Sequence, residues 1–154
     1  MNKDNKQNNS LSSINKAQQD LIAEFALLPD WLERYQYIVE LGRQLPKFPD
    51  KWRTDEHKVH GCQSQVWLHC DYIDDKLHFD VLSDAALVNG LLAILLTIYN
   101  DRTASEILTT PPDFITELGL DKHLSMNRSN GLYAMLKKIM FYAQKYTTDK
   151  IINN

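Results

Sequence analysis

The sequence predicts an α+β domain with a central antiparallel hairpin, packed by N-terminal and C-terminal helices. Segments near both ends of the chain carry apolar residues at helical spacing, whereas residues 66–82 alternate apolar and polar side chains with the period of two that is typical of strands. The two strands follow each other directly, so an alternating βαβ arrangement is not expected. A chain of 154 residues is long enough to bury one core, and no internal repeat indicates a second domain.

The N-terminal part is predicted to be a tail followed by two helices. Residues 1–12 are polar and of low complexity, which is typical of disorder, so we place the single domain at residues 13–147 and a second polar tail at residues 148–154. Ser13 is expected to cap the first helix. Asp30, with a glutamate three residues later, is expected to begin the second.

A long connection and a hairpin are predicted in the middle of the chain. Residues 46–61 are rich in charge and proline and show no periodicity, as is usual for a functional or mobile segment. The first strand begins at Val66, the pair Asp74 and Asp75 marks the turn, and the returning strand ends near Val81.

The remainder of the chain is predicted to be helical. Ser83 is expected to cap a helix over residues 84–99, which we expect to be the most buried one because apolar side chains cover most of its circumference. Thr103 begins a short helix that two prolines end, another short helix follows, and Ser125 caps the last helix. The inward stripe of that last helix is predicted to consist of Leu132, Met135, Leu136, Ile139, Met140 and Ala143.

Composition restricts the classes of function. The net charge of −3 gives no basic surface of the kind that binds nucleic acid or an anionic membrane. The start of the chain lacks the apolar core of a secretory signal, and the longest apolar run, residues 85–99, is too short to span a bilayer. Together with a content of only two cysteines, these features favour a cytoplasmic protein with free thiols.

Cys62 is the strongest candidate for a reactive residue. It follows Gly61 where a loop becomes a strand, and polar residues 63–65 come directly after it, whereas structural cysteines usually lie inside elements. A nucleophilic thiol needs activation, for which residues 57–60 supply two histidines and a lysine. These residues alone leave a reactive thiol and a buried structural thiol equally open.

The second cysteine, Cys70, is predicted to belong to the core because it lies on the apolar face of its strand. A disulfide with Cys62 is not expected, since eight extended residues would separate them by about 26 Å. Histidines and cysteines cluster within residues 57–70, but without the paired spacing of a zinc site, and His69 and Cys70 point to opposite strand faces.

Two further candidates are less specific. A protease-like pairing of Cys62 with His123 lacks the flanking sequence that such enzymes carry, and the chain contains no C-x-x-C pair. Arg128 lies in the first turn of the last helix, where the helix dipole disfavours a cation. A solvated side chain is the simpler interpretation of Arg128, and support of another site is the alternative.

The segment at residues 61–67, GCQSQVW, resembles the signature of the SufE family of sulfur acceptor proteins. Residues 31–46 resemble the family's first conserved helix, residues 83–91 its buried helix and residues 124–132 its last helix. The resemblance therefore covers roughly residues 20–145 in order, and the string after the cysteine is closer to the SufE branch than to the CsdE branch. A longer polar extension at the N-terminus and the presence of Cys70 depart from the pattern, and Cys70 leaves open a second reactive thiol.

The resemblance implies the fold of iron–sulfur scaffold proteins of the IscU kind, with the family's functional cysteine at Cys62. It implies that Cys62 takes sulfur from the persulfide of a PLP-dependent cysteine desulfurase, SufS-like or CsdA-like, stimulates that enzyme, and passes the sulfur to an iron–sulfur scaffold complex. The chain would be a sulfurtransferase-like carrier with a cysteine persulfide intermediate rather than a stand-alone enzyme, without a metal or bound cofactor. Gly61 and Arg128 become supporting candidates, and residues 48–61 are expected to hide or present the thiol.

Two other functions stay open at this point. One is a metal-binding iron–sulfur assembly scaffold that uses Cys62, Cys70 and histidines. The other is a regulator that stimulates a desulfurase by contact alone. The sequence also leaves open which desulfurase and which recipient are involved, whether the chain forms a homodimer, and how far Cys62 is buried at rest.

Overall fold

The computed structural model describes residues 12–153, with side chains described up to residue 147, and it confirms the α+β class. The predicted N-terminal tail lies outside the described residues except for its last member, Ser12. The helices and strands are α1 (Ser13–Ala26), α2 (Trp31–Arg43), β1 (Val66–Ile73), β2 (Lys76–Ser83), α3 (Ala86–Tyr99), α4 (Ala104–Thr109), α5 (Phe114–Glu117), α6 (Leu120–His123) and α7 (Met126–Asn153). Two 3₁₀ turns, Asp50–Trp52 and Asp55–His57, interrupt the long connection before β1.

The first two helices begin at hydroxyl and carboxylate caps. Asp30 caps α2 as predicted, with its Oδ1 accepting the Glu33 N–H at 2.9 Å. The prediction that Ser13 caps α1 is wrong by one residue, because Ser12 Oγ accepts the Asn15 N–H at 3.1 Å. The hydroxyl of Ser13 instead donates to Glu106 Oε1 at 2.6 Å, which ties the start of α1 to α4.

Strands β1 and β2 form an antiparallel hairpin whose register pairs Val66 with Ser83 and Ile73 with Lys76. Asp74 and Asp75 occupy the two-residue turn with φ values of 54° and 66°, the conformation that matches the twist of a tight hairpin. One face of the hairpin packs on the core and includes Leu68, Cys70, Leu77 and Phe79. The predicted core position of Cys70 is thereby confirmed.

The outer edge of β2 is protected by side chains from two neighbouring segments. The Phe79 N–H donates to Asn100 Oδ1 at 2.7 Å, and the Ser83 N–H donates to Asn89 Oδ1 at 2.8 Å. These bonds satisfy amides that an exposed edge strand would otherwise offer to another chain.

Helix α3 is the central helix, as predicted, with five fully buried aliphatic side chains at Leu91, Leu92, Ile94, Leu95 and Ile98. It begins at Ala86 rather than at Asp84, because Ala85 is the N-cap residue and Ser83 Oγ accepts only the Ala85 N–H. Helix α2 packs closely on it where Gly90 meets Ile38, since a Cβ atom on Gly90 would lie 2.2 Å from the Ile38 carbonyl oxygen.

Helix α7 is the long C-terminal helix, and its predicted cap is confirmed by the bond from the Arg128 N–H to Ser125 Oγ at 3.3 Å. Its predicted inward stripe is buried except at Met140, which is only partly buried. The helix continues to Asn153 through the residues placed in a polar tail on sequence grounds. No helix within the described residues is long and apolar enough to cross a membrane.

Candidate functional site

Cys62 lies in a six-residue loop, residues 60–65, that is closed at its base by strand-like pairing. The Val59 N–H donates to the Val66 carbonyl at 2.9 Å, and Lys58 forms an antiparallel bridge with Trp67. The chain therefore enters and leaves this Cys62 loop at neighbouring points. A short loop closed in this way presents its central side chain in a defined direction.

A second tie holds the C-terminal end of the Cys62 loop. The Gln65 N–H donates to Asp84 Oδ1 at 3.0 Å, and the Asp84 N–H donates back to the Gln65 carbonyl at 3.3 Å. The sequence pattern placed Asp84 in the first turn of a helix, whereas it lies before that helix and tethers the loop. Its role was not predicted, because the pairing joins positions 19 residues apart.

Gly61 gives the Cys62 loop a conformation that other residues rarely adopt. Its φ is +95°, and a Cβ atom there would lie 3.3 Å from the Cβ of Ala134 in α7. Any side chain at this position would be strained in its backbone and would crowd α7. The residue lets the loop turn tightly against the helix and aim the next side chain inward.

The Cys62 thiol is half-buried against α7. Its Sγ lies 3.7 Å from the Gly131 carbonyl oxygen, beside a cavity of about 190 Å³. The cavity has apolar walls from α3 and α7 and polar groups from the Cys62 loop and the start of α7. These residues are Gln63, Ser64, Val88, Leu91, Ser125, Asn127, Arg128, Gly131 and Met135.

Burial raises the pKa of the Cys62 thiol above its ordinary value. The protonated thiol is therefore the resting form at neutral pH, and the thiolate, which is the nucleophile, is disfavoured in this position. A thiol in this environment is protected from oxidation until the loop moves or another charged group approaches it.

The structure brings Arg128 to the same cavity, where its exposed side chain lines the mouth. The three residues singled out from the sequence, Gly61, Cys62 and Arg128, therefore lie at one site. The cavity walls from Ser125, Asn127 and Gly131 were not predicted. A glycine inside a helical pattern was the available signal for Gly131, since such a residue often marks a close approach.

None of the activators suggested by sequence proximity lines the cavity, and His60 is exposed. His57 is bonded to His69, and Lys58 pairs with Asp55 at 3.5 Å. Among the described residues that line the cavity there is no histidine and no lysine. His123, the partner considered for a protease-like pair, stacks on Trp31 with ring centroids 4.0 Å apart.

Neither a disulfide nor a metal cluster forms around the cysteines. Both Cys62 and Cys70 are free. Burial, with a smaller effect from the Asp71 carboxylate, raises the pKa of Cys70 to about 12, so this thiol is unreactive at neutral pH. Within the part of the chain that the structure describes, no group of three or more histidine, cysteine or acidic side chains is arranged to hold a metal ion.

The family comparison covers most of the described chain. A family model described as "SufE: Fe-S metabolism associated domain" matches residues 19–143, which include the Cys62 loop and most of α7. This chain belongs to the SufE family. Membership places the SufE domain in the context of iron–sulfur metabolism.

Similar proteins support the same assignment. The SufE chain is 45% identical over 129 residues to an uncharacterized SufE-like protein of Rhizobium meliloti, covering 80% of this chain and 92% of that protein. It is 43% identical over 124 residues to another from Rhizobium etli, covering 77% and 84%. The solution structure of a hypothetical protein from Thermus thermophilus superimposes with a TM-score of 0.71 at 24% identity, covering 86% of this chain and 96% of that one. That similarity supports the fold alone.

Proposed function

We propose that this SufE protein is a cytoplasmic sulfur carrier for iron–sulfur cluster assembly, and that Cys62 carries the sulfur as a persulfide. The observation that carries the proposal is the half-buried thiol of Cys62 beside a cavity of about 190 Å³. A water-sized atom needs only about 10–15 Å³ of such space, so an added sulfur atom fits beside the thiol without displacing the core.

The chemistry is an exchange at sulfur. The Cys62 thiolate attacks the outer sulfur of a persulfide on a PLP-dependent cysteine desulfurase, SufS-like in preference to CsdA-like. A new S–S bond forms on Cys62 while the donor's S–S bond breaks, and the donor cysteine leaves as a thiolate. The number of persulfides is conserved, so the step requires no external oxidant or reductant. The same exchange, run onto a thiol of a scaffold complex, unloads the carrier.

The resting geometry supports a carrier that is protected until it meets its partner. Because burial raises the pKa of Cys62, the thiol must lose its proton as the loop moves into the donor's active site. The ties of the Cys62 loop are the strand-like pairing at residues 58–59 and the two hydrogen bonds between Gln65 and Asp84, and these few contacts must open when the loop moves. Exposed persulfides are easily reduced or oxidised, so return to the cavity would protect the loaded form.

Arg128, at the mouth of the cavity, is proposed to support the transfer of sulfur to Cys62. Its guanidinium can attract an anionic sulfur or a partner's carboxylate. Arg128→Ala is expected to reduce stimulation of the desulfurase. Lys137→Ala is the matched control, because Lys137 is an exposed cation of the same helix that does not line the cavity. Equal stimulation by both variants would remove the role of Arg128.

The decisive experiment is intact-protein mass spectrometry after incubation with a cysteine desulfurase, PLP and cysteine. The wild-type chain and Cys70→Ala are expected to gain one sulfur atom that reductant removes, whereas Cys62→Ser is expected to gain none. Cys70→Ala is the matched control because it removes the only other thiol. No added sulfur on the wild-type chain, with an active desulfurase, would refute the carrier function.

The same variants separate the alternative functions. Full desulfurase stimulation by Cys62→Ser would favour regulation by contact over sulfur transfer. A metal-binding scaffold would lose function in Cys70→Ala, but the described residues offer it no set of ligands. Gel filtration of the free chain tests whether it forms a homodimer.

A further inference from the structure

The outer face of the hairpin is covered by the segment that leads to the Cys62 loop. We call residues 48–59 the covering segment. Its Trp52 stacks on His69 of β1, with ring centroids 3.4 Å apart and planes 13° from parallel. Its Arg53 lies 4.9 Å from the ring centroid of Trp67, and its Phe48 is buried. The segment predicted to be functional or mobile is thus packed against β1.

A row of four hydrogen-bonded side chains joins the covering segment to β1. Thr54 Oγ1 lies 3.0 Å from His57 Nδ1, and His57 Nε2 lies 3.0 Å from His69 Nδ1. His69 Nε2 in turn lies 2.9 Å from Asp71 Oδ1. We call Thr54, His57, His69 and Asp71 the histidine row. The bond between its two imidazole rings is the central link between the covering segment and the strand.

The number of protons in the histidine row decides whether that link can exist. An ionised Asp71 accepts from His69 Nε2–H, so a neutral His69 offers Nδ1 as an acceptor to His57 Nε2–H. One added proton is tolerated, because His57 Nδ1–H can then donate to the hydroxyl of Thr54. A second added proton places two N–H groups and two positive charges face to face, and the link is lost.

Other charged groups surround the histidine row from each element packed against it. They are Asp80 and His78 on β2, and Lys51, Arg53, Asp55, Glu56 and Lys58 in the covering segment. Burial raises the pKa of Asp80, and the two nearby histidines partly oppose that effect. The two imidazole rings are joined directly, with 3.0 Å between His57 Nε2 and His69 Nδ1, so none of these groups lies between the rings and none relieves the repulsion caused by a second added proton.

The histidine row is connected directly to the reactive thiol. Cys62 follows His57 by five positions. The residues between them include Lys58 and Val59, which pair with the start of β1, and Gly61, where the chain turns. We propose that the histidine row positions Cys62, holding its loop closed while the row carries at most one added proton and releasing the loop when both rings are protonated. His57 and His69 are therefore positioning residues. Any effect of these two histidines on sulfur transfer rests on the proposed carrier function, whereas their effect on the position of the Cys62 loop does not.

The test measures alkylation of Cys62 at about pH 7.5 and about pH 5.5, on either side of the ordinary histidine range. Peptide mass mapping measures each alkylation rate. We divide it by the alkylation rate of an unstructured cysteine peptide at the same pH, because this removes the ordinary effect of pH on thiols. For the wild-type chain we expect this relative rate to rise at least about fivefold at the lower pH, the factor that corresponds to one lost hydrogen bond.

Two substitutions of His57 distinguish positioning by protons from a structural role. His57→Gln keeps an amide that can donate to or accept from His69 but cannot titrate, so its relative rate should stay low at both pH values. His57→Phe keeps a ring but cannot bond, so its rate should be high at both. His60→Gln is the matched control: it changes an exposed histidine nearer to Cys62, and its rate should rise as in the wild type.

A relative rate that does not change with pH in the wild-type chain overturns the proposal, as does a rise that persists in His57→Gln. A rise abolished by His60→Gln would also overturn it, by assigning the effect to the wrong histidine. Hydrogen exchange of residues 48–61 in the wild-type chain, corrected for intrinsic rates, must increase over the same pH interval. These measurements need no desulfurase, so failure of Cys62 to load sulfur would refute the carrier function and leave the positioning result standing.

Discussion

The crossing of α2 and α3 provides the sharpest stability prediction, because it depends on a single missing methyl group. In Gly90→Ala the new Cβ would lie 2.2 Å from the carbonyl oxygen and 2.5 Å from Cγ2 of Ile38. Both atoms are fixed, one by the backbone of α2 and the other by a fully buried side chain. Overpacking a core costs about 1–3 kcal/mol, and we take the upper value because the helices must separate.

The substitution also has a favourable component. Replacing glycine by alanine inside a helix stabilises it by about 1 kcal/mol. The net expectation for Gly90→Ala is therefore a loss of about 2 kcal/mol in the free energy of unfolding, or a fall in Tm of roughly 4–8 °C for a chain of this size. Urea and thermal unfolding, followed by circular dichroism, measure it.

Gly131→Ala is the matched control, since Gly131 also lies inside a helix and has the same gain in propensity. Its Cβ would lie 3.6 Å from Cys62 Sγ, which is an ordinary contact. This variant is expected to be as stable as the wild type or up to about 1 kcal/mol more stable. If Gly90→Ala proved as stable as Gly131→Ala, α2 would not pack on α3 as closely as the approach of Gly90 to Ile38 requires.

Three further predictions concern the Cys62 loop and the edge of β2. Asp84→Ala removes the acceptor of the Gln65 N–H and should raise the alkylation rate of Cys62 roughly two- to fivefold, as expected for the loss of ~0.5–1 kcal/mol. Asp84→Asn keeps an acceptor oxygen, so its Cys62 should be alkylated slowly, and equal rates for the two variants would contradict the tether. Because burial raises the pKa of Cys62, its thiolate should form at higher pH in the folded chain than in the chain unfolded by urea. The ratio of the alkylation rate in the folded chain to that in the unfolded chain should therefore be lowest near neutral pH and rise towards alkaline pH, and a ratio independent of pH would show that the thiol is not held in the cavity. Asn100→Leu leaves the Phe79 N–H without its acceptor and should lower the free energy of unfolding by about 1–3 kcal/mol in urea titrations, and an unchanged midpoint would exclude the edge-capping role.

Local features of the fold were predictable because they depend on neighbouring residues. The cap at Asp30 and the turn at Asp74 and Asp75 follow from short-range hydrogen bonding and backbone preference, and both are confirmed. The error at the start of α1 arose because Ser12 and Ser13 are equally good caps by type. The choice between them depends on Glu106, 93 positions from Ser13, which engages the second hydroxyl.

Within the site, Cys62 and Gly61 could be singled out from sequence because a reactive thiol needs a loop and a glycine marks a tight one. The residues that form the walls of the cavity could not be identified from the sequence, because they belong to α3 and α7 and come close to the thiol only through packing. The same limit applies to the covering segment. Its highly charged composition gave no sign that Trp52 would stack on His69.

By itself, the sequence determined the α+β class, the hairpin with its turn, the buried face of Cys70 and the family whose signature surrounds Cys62. These depend on periodicity, capping and a contiguous motif, all of which act over a few residues. Only the tertiary structure decided that Cys62 rests against Gly131, 69 positions away, and that burial keeps its proton in place. Desolvation of a side chain is set by the elements that pack around it, and no local pattern records which elements those are.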